Sequence, residues 1–137
     1  MKKIILAAAL AATAITVQAN EFQEVYEVPG KSANAIISAV ASMVAKPVSR
    51  TDNIIVVETA VRCKAGWGVN MSMRSTVMVE AKDGRYRLTI KDTRTAPSEG
   101  INQPLMAMNP SFIEGCLPEV RKNAAGIGQA INAYKDF

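Results

Sequence analysis

Residues 77–92 read VMVEAKDGRYRLTIKD, and they specify a β-hairpin down to its register. Asp83-Gly84 is a two-residue turn signal, because a type I′ turn needs φ > 0 at both central positions and Asp-Gly tolerates that. With this pair as the loop, Lys82 faces Arg85, Ala81 faces Tyr86, Glu80 faces Arg87, Val79 faces Leu88, Met78 faces Thr89 and Val77 faces Ile90. One face is then apolar, and the other carries Glu80, Lys82, Arg85, Arg87 and Lys91. A slip of one residue would set Val79 against Arg87 and Glu80 against Leu88, mixing the faces, so turn chemistry and alternation agree on a single register. The Glu80–Arg87 pair adds a cross-strand contact worth roughly 0.2–1 kcal/mol.

Upstream, the first 19 residues read as a leader. Lys2 and Lys3 are followed by an uncharged apolar run from Ile4 to Val17 and by the small-residue pattern Val17-Gln18-Ala19, which predicts cleavage after Ala19. The run is shorter than the ~20 residues that a bilayer-spanning helix needs. Of 137 residues, 118 remain at 20–137, which is one domain's length. The leader takes two lysines and no acids with it, so the net charge falls from +4 to +2. A nearly neutral exported domain gives no electrostatic case for nucleic acid or for anionic membranes. The expected location is the periplasm or the medium, with no transmembrane segment in the mature chain.

Export also changes how the two cysteines, Cys63 and Cys116, are read. In an oxidising compartment a disulfide is expected, against the alternative of two separately buried thiols.

Residues 22–28, FQEVYEV, alternate as a strand, and Pro29-Gly30 ends it. Ser32 is placed to cap a helix with apolar positions Ala33, Ile36, Ile37, Val40 and Val44, which Pro47 should stop near Ala45. Gly30-Lys31-Ser32 resembles the end of a phosphate-binding loop, but the first glycine of that pattern would fall at Val25, inside the strand. Ile54-Ile55-Val56-Val57 is a β-branched run within a strand over residues 51–61; apolar on both faces, it is expected at the sheet centre. Residues 62–68 read as a glycine-flanked connection bearing Trp67, which either folds onto the domain edge or grips a partner. From Asn70 to Ala81 a long strand places Met71, Met73, Ser75, Val77, Val79 and Ala81 on one face.

After the hairpin the pattern is lost, and Pro97, Gly100, Pro104, Pro110 and Gly115 mark an irregular segment over 94–116. Pro118 suits the first turn of a closing helix over 117–135, whose stripe is Val120, Ala124, Ile127, Ile131 and Tyr134. Gly126 and Gly128, beside that stripe, would let the helix lie close on a sheet.

The expected fold is therefore α+β, in the order β-α-β-β-β-α, an antiparallel sheet with both helices packed on one face. The stretches EVYEVPGKSANAIISAV (24–40) and VMVEAKDGRYRLTIKD resemble a bacterial domain family of unknown function with a TATA-binding-protein-like fold. The resemblance covers roughly residues 25–93, the TBP-like core being about 22–93, and is most specific in VPGKS (28–32) and KDGRYR (82–87). It implies a fold and an exported setting, and carries over no catalytic residue.

No catalytic constellation is visible: histidine is absent, no metal-ligand spacing occurs, and the cysteines are better paired than nucleophilic. Met71, Met73, Met78, Met106 and Met108 could suit a soft metal, but without histidine they read as core filler. No catalytic, cofactor or metal residue is therefore assigned. The chain reads as a non-enzymatic domain that binds a protein or envelope component, with Trp67, Arg74, Lys82, Arg85, Arg87 and Lys91 as the candidate surface. An anionic envelope polymer held by the basic hairpin face is the alternative; a carboxylate-based hydrolase ranks lower, and self-association stays open.

Overall fold

In the computed structural model, which describes residues 20–64 and 70–135, the hairpin forms in the register that alternation requires, from Lys82 opposite Arg85 to Val77 opposite Ile90. The chain runs β1 (Asn20–Glu27), α1 (Ala33–Ala41), β2 (Ser49–Arg50), β3 (Ile54–Lys64), β4 (Asn70–Lys82), β5 (Arg85–Thr95) and α2 (Pro110–Ala133). Short 3-10 turns at Pro97–Glu99 and Leu105–Ala107 break the connection from β5 to α2. All strand pairs are antiparallel, in the order β1-β5-β4-β3-β2. The hairpin β4–β5 is thus the middle of the sheet. The leader over 1–19 and the Trp67 reading lie outside the described residues.

The turn itself departs from expectation. Gly84 takes φ +86° while Asp83 stays out of the left-handed region, which is the pattern of a type II turn and not of type I′. The cause is tertiary. Gly84 N–H donates to the Lys31 carbonyl at 2.7 Å, Val28 N–H donates to the Gly84 carbonyl at 2.8 Å, and Ala33 N–H donates to Asp83 Oδ1 at 2.9 Å. The tip is therefore docked on the β1–α1 connection, and Asp83 satisfies a helix-terminal N–H that α1 cannot satisfy internally. Ser32 Oγ accepts from Ala35 N–H at 3.1 Å and completes the cap.

The inner face of the sheet holds the core. Val77, Val79, Leu88, Ile90, Ile55 and Val57 are buried against Ile36, Ile37 and Val40 of α1 and Val120, Ile127 and Ile131 of α2. Both helices lie on this side, because only here do the strands present an unbroken apolar surface. Alanine spacing and Gly128 allow close approach: a Cβ at Gly128 would meet the Tyr86 hydroxyl at 3.3 Å, whereas Gly126 faces open space. Among the described residues no helix is long and apolar enough to cross a membrane.

Several elements differ from the sequence reading: β3 spans Ile54–Lys64 and not residues 51–61, so Arg62, Cys63 and Lys64 belong to the strand and not to the connection over 62–68, and β5 runs on to Thr95, past the expected start of the irregular segment. Helix α1 stops at Ala41 and not near Ala45, because Ser42 Oγ turns back to the Ala39 carbonyl at 2.7 Å and the chain must then deliver Val48 N–H to the Val56 carbonyl. Strand β3 is not central; it is flanked by the two-residue β2, which its β-branched run gave no means of foreseeing. Helix α2 begins at Pro110, capped by Asn109 Oδ1 accepting from Ser111 N–H at 2.8 Å, so that Pro118 lies inside it and not in its first turn. A proline at that depth removes a hydrogen bond and strains the turn. Phe112 and Cys116, both buried, extend the apolar stripe across it and offset that cost.

Cys63 at the end of β3 and Cys116 in α2 form a disulfide, both residues fully buried and 53 positions apart. It staples the closing helix to the sheet. Tyr26 and Tyr86, directly opposite on β1 and β5, stack with ring centroids 5.1 Å apart. Burial, then the nearby Glu24 carboxylate, pushes the Tyr26 phenol up to about 12, and burial raises Tyr86 as well.

Two outcomes are expected. Cys63→Ala with Cys116→Ala should lower the unfolding free energy in urea by about 4 kcal/mol, from the chain entropy that the closed loop withholds from the unfolded state; an unchanged midpoint would contradict this. Because the folded state holds the Tyr26 proton more tightly than the unfolded chain, stability should be full below pH 10 and fall as pH rises toward about 12. Tyr26→Phe should flatten that alkaline loss, read from urea midpoints at successive pH values.

Candidate binding face

Alternation sends every second side chain of β3, β4 and β5 away from the helices, onto a face that neither helix covers. The rows can be read from the pairing. Nearest the tip stand Lys82, Arg85 and Glu27; next come Ile54, Glu80, Arg87 and Val25; then Val56, Met78, Thr89 and Gln23. Beyond them lie Glu58, Thr76 and Lys91, then Ala60, Arg74 and Arg94, and finally Arg62 with Ser72. Ile54, Val56 and Met78, all half-buried, form a small apolar patch on the β3–β4 side, while Val25, 51 % exposed, stands on the β1 edge across the Glu80–Arg87 pair.

The sequence-expected residues Arg74, Lys82, Arg85, Arg87 and Lys91 all fall on this face and form a strip along the hairpin. Two are engaged: Arg87 Nη1 lies 3.4 Å from Glu80 Oε1, the cross-strand pair that alternation required, and Arg74 Nη1 lies 3.4 Å from Glu58 Oε1. Lys82, Arg85 and Lys91 make no ion pair among the described residues. These surface pairs contribute little stability, at most about 1 kcal/mol each. Their weight is geometric, because they leave the uncompensated charge of the face positive.

Arg62, Lys64 and Arg94 belong to the same face and were missed by sequence reasoning. Arg62 and Lys64 could have been found by continuing the β3 alternation past Val61, since Val61 and Cys63 point inward. Arg94 could not, because its facing depends on a β-bulge. Between Arg74 and Thr76 the register shifts, so that Ser75 alone opposes Asp92 and Thr93. Asp92 takes φ +54°, the one non-glycine residue with positive φ among those described.

Inside the bulge, Ser75 Oγ and Thr93 Oγ1 share a buried hydrogen bond of 2.7 Å, and Thr93 N–H donates to Glu21 Oε1 at 2.8 Å. Past the end of β1, residues 101–104 take over the edge of β5. Thr95 N–H donates to the Gln103 carbonyl at 3.1 Å, and Thr95 Oγ1 donates to the Ile101 carbonyl at 2.7 Å. Glu99 Oε2 accepts from Ser72 N–H at 2.8 Å, and Arg94 Nη1 donates to Asn102 Oδ1 at 2.9 Å. This segment, irregular in sequence, is thereby fixed beside the outer face. Between it and the strands lies an open groove of about 620 Å³, lined by Glu58, Arg74, Thr76, Asp92, Arg94 and Asn102 among others.

Among the described residues, no three of Asp, Glu, Cys or His converge as a metal site. Glu58 and Glu80 each lie beside an arginine, Glu58 and Asp92 line the same groove, and both sulfurs are consumed in the disulfide.

No family profile matches the chain, and no curated protein matches it. Among solved structures it is similar to a TBP-like protein from Parabacteroides distasonis, with a TM-score of 0.64 over 83 % of this chain and 93 % of that one at 12 % identity. A DUF4468 family protein from Bacteroides ovatus overlaps 80 % of this chain and 78 % of its own, at 11 % identity and a TM-score of 0.46. The first match bears out the TATA-binding-protein-like fold that the two sequence stretches implied. Identity at this level speaks for fold alone.

Asp92→Gly is expected to leave stability unchanged or to raise it, since glycine adopts positive φ freely. Asp92→Val should cost about 1–2 kcal/mol more than Asp92→Gly in urea denaturation; equal midpoints for the two would show that the bulge does not hold residue 92 in the left-handed region.

Proposed function

We propose that the protein is an exported, non-enzymatic interaction module whose uncovered sheet face docks an acidic partner protein of the cell envelope. The observation that carries the reading is the division of the sheet: both helices pack on one side, and the other side presents an apolar patch of Ile54, Val56 and Met78 with charged residues around it and Lys82 and Arg85 at the tip. An apolar patch with a charged rim is the composition of a protein interface. Val25, Ile54, Val56 and Met78 would give a polyanion little to bind, so they favour a protein over a bare envelope polymer. Export is supported by the leader pattern at residues 1–19 and by the buried disulfide, which suits an oxidising compartment. A non-enzymatic role is supported by the lack of histidine and by carboxylates that face arginines.

The reading is tested by placing a photo-crosslinking residue at Met78, in the centre of the face, and separately at Gln129, on the exposed side of α2. A discrete protein adduct is expected from position 78 and not from 129, and it should disappear with Lys82→Glu and Arg85→Glu or in high salt. A polymer smear at 78, or equal adducts at both positions, would overturn the proposal.

A further inference from the structure

The groove at the β4–β5 bulge holds a charge arrangement that the fold does not require. Arg74 and Arg94 are directly opposite each other across the antiparallel pair, where like charges repel. Lys82 and Arg85 are opposed in the same way, but at the hairpin tip, where water surrounds them. The arginine pair lines the open groove, where each member has one side-chain contact: half-exposed Arg74 has its Nη1 3.4 Å from Glu58 Oε1, and Arg94 Nη1 donates to Asn102 Oδ1 at 2.9 Å. A guanidinium has five N–H donors in a planar fork, so both arginines keep donors for a bound carboxylate. The Asn102 contact orients the Arg94 fork before binding, which reduces the ordering that a ligand must impose there.

The acids of the groove decide between ligand classes. Asp92 lines it, at the left-handed position of the bulge, and makes no ion pair or side-chain hydrogen bond among the described residues. With Glu58 it brings the groove's two arginines and two carboxylates to balance. A phosphate or a polyanion would lie against both acids, whereas a molecule carrying one negative and one positive group would find a partner for each. At about 620 Å³ the groove is within the ordinary range for small-molecule sites.

We propose that this groove binds a zwitterionic ligand of the amino-acid or short-peptide class, its carboxylate on Arg74 and Arg94 and its ammonium at Asp92. The site stands apart from the docking reading, because it uses the bulge and not the apolar patch.

The test is a ¹H–¹⁵N NMR titration of the purified protein with trialanine, N-acetyl-trialanine, trialanine amide and inorganic phosphate. Saturable shifts are expected with trialanine at the amides of Arg74, Thr76, Asp92 and Arg94, and roughly tenfold or weaker affinity for each blocked peptide, in line with the loss of a charged hydrogen bond. Arg74→Gln and Arg94→Gln, each at an exposed position, should weaken trialanine to a similar degree while the spectrum stays dispersed. No saturable shift at these amides, equal affinity for the blocked peptides, phosphate binding as tight as trialanine, or undiminished binding by both variants would each overturn the assignment. Lys82→Glu with Arg85→Glu should leave trialanine binding in place, which separates failure of this site from failure of the docking face.

Discussion

The hydrogen bonds between the hairpin tip and the β1–α1 connection are the constraint on which the rest of the structure depends. Asp83 and Gly84 bind Val28, Lys31 and Ala33, so one contact fixes the hairpin turn, the end of β1 and the start of α1 together. With β1 paired to β5 and α1 begun at Ala33, the first helix has no choice but to cross the inner face of β4 and β3. The two stretches that carry the family resemblance, VPGKS and KDGRYR, are the two sides of this contact. Their residue types follow from it: a left-handed glycine at 84, an acid able to reach a helix N-terminus at 83, and a serine cap at 32.

The second constraint acts at the opposite end of the sheet. There β3 outruns β2, and the disulfide from Cys63 to Cys116 holds α2 over it. Without that link a 24-residue helix interrupted by Pro118 would rest on its apolar stripe alone. The crosslink and the burial of Phe112 explain why the helix continues through a proline that sequence rules place at a boundary.

Between these two ends the helices cover one face and leave the other bare, and the functional readings follow from that asymmetry. The bare face is not uniform. It has an apolar patch of Ile54, Val56 and Met78, Lys82 and Arg85 at its tip, and a far end reshaped by the bulge and by the 101–104 segment into a groove with balanced charge. The proposed docking surface and the proposed small-ligand site therefore occupy different parts of one sheet.

Sequence by itself determined the hairpin register, the inner faces of β4 and of α2, and the α+β order, because each rests on a local period that only one secondary structure satisfies. Val77, Val79, Leu88 and Ile90 and the stripe Val120, Ala124, Ile127 and Ile131 are buried as their spacing required. It also placed Arg74, Lys82, Arg85, Arg87 and Lys91 on one surface, since alternation carries facing with it. Tertiary structure alone decided the turn type, the place of β3 beside the edge, the start of α2 and the bulge at Asp92. The turn and the bulge depend on partners distant in the chain, Lys31 for Gly84 and Glu21 for Thr93, while β2 rests on Val48 pairing with Val56 and the start of α2 on the Asn109 cap, neither of which a residue period records. The groove belongs to this second group, because bringing Arg94 opposite Arg74 takes one extra residue in a strand, and no period in the sequence records it.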